Sequence, residues 1–149
     1  MPASRMLRDV LARVRAGEIS LEEAEMEING LRIEEVGDIA CLDIGRSIRC
    51  GIPEVILAEG KDPAHLAEIA LAHVRASGRC LVSRINLVQA KALRDCAETA
   101  GFTLTCHDKA RMAVLSRGDP ISPTGGVVAV ITAGTSDIRV AEEARVIAS

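Results

Sequence analysis

KDPAHLAEIALAHVRASGRCLVSRINLVQAKALRDCAETAG, residues 61–101, reads as a helix, a strand and a second helix in succession. Asp62 and Pro63 mark a helix start, because a carboxylate can accept from free first-turn amides and proline has no amide to lose there. The run that follows is rich in alanine and leucine through about Ala76, and Gly78 ends it. GRCLVSRI, residues 78–85, supplies a strand, after which Asn86 caps a helix to about Thr99 with Gly101 as its stop signal. On one side, Ile39–Ile44 and Pro53–Ala58 form short strands. On the other, FTLTCHDKARMAVLSRG, residues 102–118, splits into two strands joined through His107 to Lys109 as a turn. Residues 52–117 therefore alternate β, α, β, α, β, β, which predicts an α/β layer and not a helix bundle.

Further out, Met6, Leu7, Val10, Leu11 and Val14 recur at helical spacing and Gly17 closes that helix. Ser20 and Glu23 make a capping box for a second helix to about Asn29, with Gly30 as its stop, so residues 1–34 form a helical hairpin. Its apolar stripe has to dock on the rest of the chain or on another subunit. Residues 35–117 form a small α/β domain, and GDPISPTGG, residues 118–126, reads as a linker. Beyond it, VVAVITAGTSDIRVAEEARVIAS, residues 127–149, is a new start. Val127, Val128, Val130 and Ile131 predict a parallel strand buried on both faces, and Val140, Ala141, Ala144 and Ile147 an amphipathic helix. This is the first βα unit of a further, incomplete domain, or a strand added to the sheet of residues 52–117.

Composition narrows the function. The 149 residues are 48% apolar but only 1% aromatic, so the core is aliphatic and no stacking platform for bases exists. Net charge is −3, which gives no general attraction to nucleic acid or to anionic membranes. No apolar run approaches the roughly 18 residues of a membrane span, and the charged N-terminus is unlike a secretory signal, so a cytoplasmic location is expected. Five scattered cysteines without a C-x-x-C pair suit a reducing compartment.

Two stretches invite chemistry. Asp43, Arg46 and Arg49 stand at three-residue spacing before Gly51 and Pro53, where two guanidiniums could clamp an anion bidentately; an exposed Asp43–Arg46 ion pair fits the same spacing. Ala133, Gly134, Thr135 and Ser136 are small enough for a close backbone approach to a phosphate, with Asp137 placed to cap the following helix or to hold a ligand hydroxyl. A plain βα turn holding only its own caps would have the same sequence. No metal site is expected: Cys106, His107 and Asp108 stand in a row with poor geometry for one ion, and His65 and His73 lie about 80° apart on their helix.

The pair DIGRSIRCGIPEVILAEGK, residues 43–61, and VVAVITAGTSDIRVAEEA, residues 127–144, resembles the LarB family, which builds the nickel-pincer nucleotide cofactor from nicotinic acid adenine dinucleotide. The second motif alone also looks like the start of the PurE family of aminoimidazole ribonucleotide carboxylases and mutases. The LarB pattern D-x-x-R-x-x-R-x-G-x-P-E-V is met by Asp43, Arg46, Arg49, Gly51, Pro53, Glu54 and Val55. This resemblance implies a PurE-like, flavodoxin-like parallel sheet beginning at residue 127, and an enzyme that carboxylates a pyridinium ring with carbon dioxide or bicarbonate and hydrolyses the phosphoanhydride to release AMP. It assigns Gly134, Thr135, Ser136 and Asp137 to the phosphate or ribose, and makes Asp43, Arg46, Arg49 and Lys61 candidates for closing over the dinucleotide. In the family a thiolate adds to the ring from a glycine-rich stretch beyond the phosphate loop, and none of the five cysteines here stands in such a context, so no catalytic residue is assigned and these residues alone are expected to be inactive. No covalently held group is implied, magnesium is admitted, and homo-oligomerisation is expected through the PurE-like domain. Two other readings stay open: a non-enzymatic nucleotide-binding or regulatory protein, and a PurE-like mutase.

Overall fold

Both helices of residues 61–101 form where their capping residues put them. The computed structural model describes residues 3–30, 32–46, 53–118 and 125–149. Contacts divide the chain into two units, Met1–Glu54 and Val55–Ser149.

In the first unit, helix α1 (Ala3–Ala16) packs on helix α2 (Leu21–Gly30). The Ser20 hydroxyl accepts from the Glu23 amide at 3.1 Å and the Glu23 carboxylate accepts from the Ser20 amide at 2.8 Å, completing the expected capping box. Val10 and Ala24 are buried, and an exposed Arg13–Glu27 ion pair of 2.8 Å adds at most about 1 kcal/mol. Strand β1 (Glu34–Val36) pairs antiparallel with β2 (Ala40–Leu42) through a turn at Gly37. The sequence shows β2 but hides β1, because Glu34 and Glu35 give it no apolar alternation.

The second unit carries a four-stranded sheet in the order β3-β4-β6-β5. Its strands are β3 (Val55–Leu57), β4 (Arg79–Ser83), β5 (Thr103–His107) and β6 (Met112–Ser116). β3 and β4 run parallel, joined through helix α3 (Pro63–Ser77), whereas β6 runs antiparallel to both β4 and β5. The Asp62 side chain accepts from the amides of Ala64 and His65, and Gly78, at φ +81°, closes α3 in the left-handed conformation that glycine tolerates. Helix α4 (Leu87–Ala100) starts from Asn86 and ends at Gly101 in the same way. The chain is thus α/β, with the alternation expected for residues 52–117.

Register explains how both faces of the sheet are covered. Val55, Leu81 and Val114 stand in one row across three strands, and this row, with Ala110 and Met112, receives Val146 and Ile147 of helix α5 (Ile138–Ala148). Ile56, Val82 and Ala113 form the next row and point the other way, as alternate strand residues must. Helices α3 and α4 pack on each other and on β4 and β5. β4 is accordingly buried from Cys80 through Ser83, as a strand covered on both faces should be.

One expectation fails. Residues 127–131 form no strand among the described residues: Val127 is 97% exposed and Ile131 90% exposed. A parallel strand obtains its hydrogen bonds from neighbours, and these residues neither join the sheet of residues 55–116 nor meet another strand among those described. Of the expected linker, residues 119–124 lie outside the described residues.

Candidate functional site

The D-x-x-R segment folds as a turn. The Arg46 amide donates to the Asp43 carbonyl at 3.2 Å, and the Gly45 amide to the Arg32 carbonyl at 3.0 Å. The half-buried Glu54 carboxylate accepts from the Asp43 amide at 2.6 Å, so the Glu54 of the sequence pattern anchors the turn that begins it. Arg46 is exposed, and Arg49 and Gly51 lie outside the described residues. These residues all belong to the first unit.

Lys61 belongs to the second unit, at the carboxyl end of β3. Its amide donates to the Ala58 carbonyl at 3.0 Å, closing a turn whose third residue, Gly60, sits at φ +77°. Such a turn needs a positive φ at that position, which glycine supplies without strain. Buried Gln89 fixes the turn from beneath: its Nε2 donates to the carbonyls of Ala58 and Lys61, both at 2.8 Å. Its Oε1 accepts from the Asn86 amide while Asn86 Oδ1 accepts from the Gln89 amide, so one residue caps α4 and braces the Lys61 turn. The Asn86 to Gln89 spacing is the signal by which a sequence reader could have found it.

Gly134, Thr135, Ser136 and Asp137 form one exposed turn. Gly134 is extended, Thr135–Asp137 make a single 3-10 turn, and α5 follows at once. The Asp137 carboxylate makes no capping bond to α5; it accepts from the Ser136 hydroxyl at 3.2 Å. No side chain caps the first amides of that helix. No hydrogen bond or ion pair joins Lys61 to this turn among the described residues.

The remaining candidates are quiet. Buried His73 places Nδ1 at 3.1 Å from both the Arg79 carbonyl and the Ser77 hydroxyl. Burial pushes the Cys96 thiol up, disfavouring the thiolate, and its Sγ is engaged with the Leu93 carbonyl at 3.2 Å. Among the described residues no three His, Cys, Asp or Glu side chains gather to hold a metal ion. Among them, too, no helix is long and apolar enough to cross a membrane.

The LarB/PurE-like N-terminal domain matches residues 33–117, more than half of the chain. The chain belongs to the LarB family. It is also 35% identical over 144 residues to an uncharacterized protein of Methanocaldococcus jannaschii, covering 93% of this chain and 55% of that one. The LarB-family sequence described here thus spans about half the length of that relative. The matched domain contains the Asp43 turn and the Lys61 turn; the turn of residues 134–137 lies beyond it.

Proposed function

We propose that these residues supply part of the nucleotide site of a LarB-type pyridinium carboxylase and hydrolase acting on nicotinic acid adenine dinucleotide. The observation that carries the reading is the exposed turn at Gly134–Asp137, which opens α5 without capping it. A phosphate there would meet a helix start that no side chain caps and the positive end of the helix dipole, and small side chains would let it approach the backbone. Asp137, left unspent on its own helix, is placed to accept from a ribose hydroxyl. Lys61 and Arg46 are exposed cations on turns held by Gln89 and by Glu54, so each can reach an anion without a large loss of backbone order.

The carbon-carbon bond requires an electron-rich ring. In the reaction proposed, a thiolate adds to the pyridinium and the resulting enamine-like ring attacks carbon dioxide; loss of the proton from the carboxylated carbon to a base and expulsion of the thiolate restore the pyridinium, and water cleaves the phosphoanhydride to release AMP. Cys96 is ill-suited to that role, since burial holds it protonated.

Calorimetry with nicotinic acid adenine dinucleotide, paired with chromatography for AMP and isotope-labelled bicarbonate incorporation, tests the reading. The 149 residues are expected to bind without turnover, and a longer chain from the same reading frame to bind and turn over. Binding with no turnover at any length would make the protein a nucleotide-responsive regulator. No binding in either form would remove the dinucleotide from the proposal altogether.

A further inference from the structure

A second cluster of charge sits in Val55–Ser149, where Glu59, Arg139 and Glu143 of the two sequence motifs meet Arg84 and Arg111, which no motif singles out. A cavity of about 250 Å³ opens at the carboxyl ends of the parallel pair β3 and β4, lined by Arg84, Arg111 and Arg139 together with Glu59 and Glu143. In an open α/β sheet this edge is where ligands bind. Three arginines and two glutamates line it in a chain whose net charge is −3, so the local sign opposes the global one.

The arginines are not equivalent. Arg111 is oriented in advance: its Nε donates to the Ile85 carbonyl at 3.0 Å and its Nη2 to the Arg84 carbonyl at 3.3 Å. The Ile85 amide donates back to the Arg111 carbonyl at 2.9 Å, which locks the loop after β4 to the start of β6. Two of the five guanidinium donors are thereby used and the rest of the fork is left to the cavity. Arg84 pairs with Glu59 at 3.2 Å, but the two side chains are 54% and 62% exposed, so the pair is weak and readily exchanged for a stronger anion. Arg139, on the first turn of α5, has no hydrogen-bond or ion-pair partner among the described residues. Arg84 and Arg111 also hold φ values of +55° and +51°. That region disfavours long side chains, and residues forced into it concentrate at ligand sites.

We propose that this cavity binds the phosphoryl group of a small hydroxylated ligand, of about the size of a pentose phosphate. Guanidinium forks match phosphate oxygens bidentately, and Arg111 offers a fork whose plane is already fixed. The Glu143 carboxylate, one turn along α5 from Arg139, repels a bare anion but accepts from a sugar hydroxyl, which favours an ester over free phosphate. No aromatic side chain lines the cavity, so a base would find no stacking surface. The assignment shares helix α5 with the turn on which the carboxylase reading rests, but it is tested apart from that reading: turnover could fail with this site intact, and this site could fail with turnover intact.

The test is a proton–nitrogen correlation titration of the 149-residue chain at low ionic strength, following backbone amides and arginine Nε–H groups, with inorganic phosphate and ribose 5-phosphate as probes. Saturable shifts at Arg84, Ile85, Arg111 and Arg139 are expected, with ribose 5-phosphate binding more tightly than phosphate. Arg139→Gln, on an exposed helix position, leaves the fold untouched and is expected to weaken ribose 5-phosphate roughly tenfold or more, the loss that removal of a charge-assisted hydrogen bond brings. Arg111→Lys keeps the charge but not the fork, and is expected to weaken binding comparably. Non-saturable shifts, an unchanged affinity in Arg139→Gln, or shifts confined to residues 134–137 would each overturn the proposal.

Discussion

Gln89 is buried to 2% exposure although its side chain is an amide, and its hydrogen bonds explain why that burial is tolerated. Both hydrogens of Nε2 are satisfied by carbonyls of the Lys61 turn, and Oε1 by the Asn86 amide. Gln89→Leu keeps the volume and removes all of this. The Lys61 carbonyl would lose its Gln89 partner and the Ala58 carbonyl would keep only the Lys61 amide, a cost of about 2 kcal/mol. Urea unfolding should show that loss, and amide exchange should speed at Lys61 and Gly60 while remaining unchanged at Cys80 and Leu81. Uniformly faster exchange would mean that Gln89 supports the whole core and not the turn. At this scale the sequence was only partly readable. Lys61 stood out as a charge beside a matched motif, whereas Arg84 and Arg111 resembled ordinary surface arginines, because their alignment arises from the register of β4 against β6 and from left-handed backbone that no local pattern signals.

At the level of elements, capping chemistry was legible and pairing chemistry was not. Helices α2, α3 and α4 begin at Ser20, Asp62 and Asn86, and α3 and α4 end at Gly78 and Gly101, because a cap satisfies a local need that neighbouring residues announce. Strand β1, and the strand expected at residues 127–131, depend instead on distant partners. The valines of the latter carry the composition of a buried strand, yet among the described residues no strand stands beside them. The start of α3 also matters for the Lys61 turn, which runs straight into it. Asp62→Ala would strip the side-chain acceptor from the amides of Ala64 and His65 and should destabilise the fold by about 1 kcal/mol. Asp62→Asn or Asp62→Ser should restore most of it, since either side chain also caps. Thermal unfolding of the three variants checks this, and an Asp62→Ser variant as unstable as Asp62→Ala would show that the carboxylate's charge, not its acceptor, is what counts.

Across the second unit as a whole, the sheet is incomplete without its last helix. The row Val55, Leu81 and Val114 would face solvent if α5 did not lie over it, and α5 is tied there chiefly by Val146, which is 1% exposed against Leu81, Ala110 and Met112. The sequence foretold helix α5 but not the face it buries: of the expected stripe Val140 and Ala144 are exposed and Ile147 is half-buried, and the residue that seats the helix is Val146. Its seat has a consequence for both sites argued above. α5 carries the 134–137 turn at its start and Arg139 in its first turn, so its docking sets where each points relative to the carboxyl ends of β3 and β4. Val146→Ala removes the equivalent of two methylene groups from this contact, a loss of about 2 kcal/mol in burial, with no charge altered. Limited proteolysis is expected to cut the variant within residues 125–145 at protease concentrations that leave the wild-type chain whole, while residues 55–118 stay resistant. Ribose 5-phosphate affinity should fall in parallel, because Arg139 would no longer be held beside Arg111. Equal proteolytic resistance in Val146→Ala would mean that α5 is seated by contacts other than the Leu81 and Met112 row, and the geometry of the arginine cavity would then have to be sought in the strands alone.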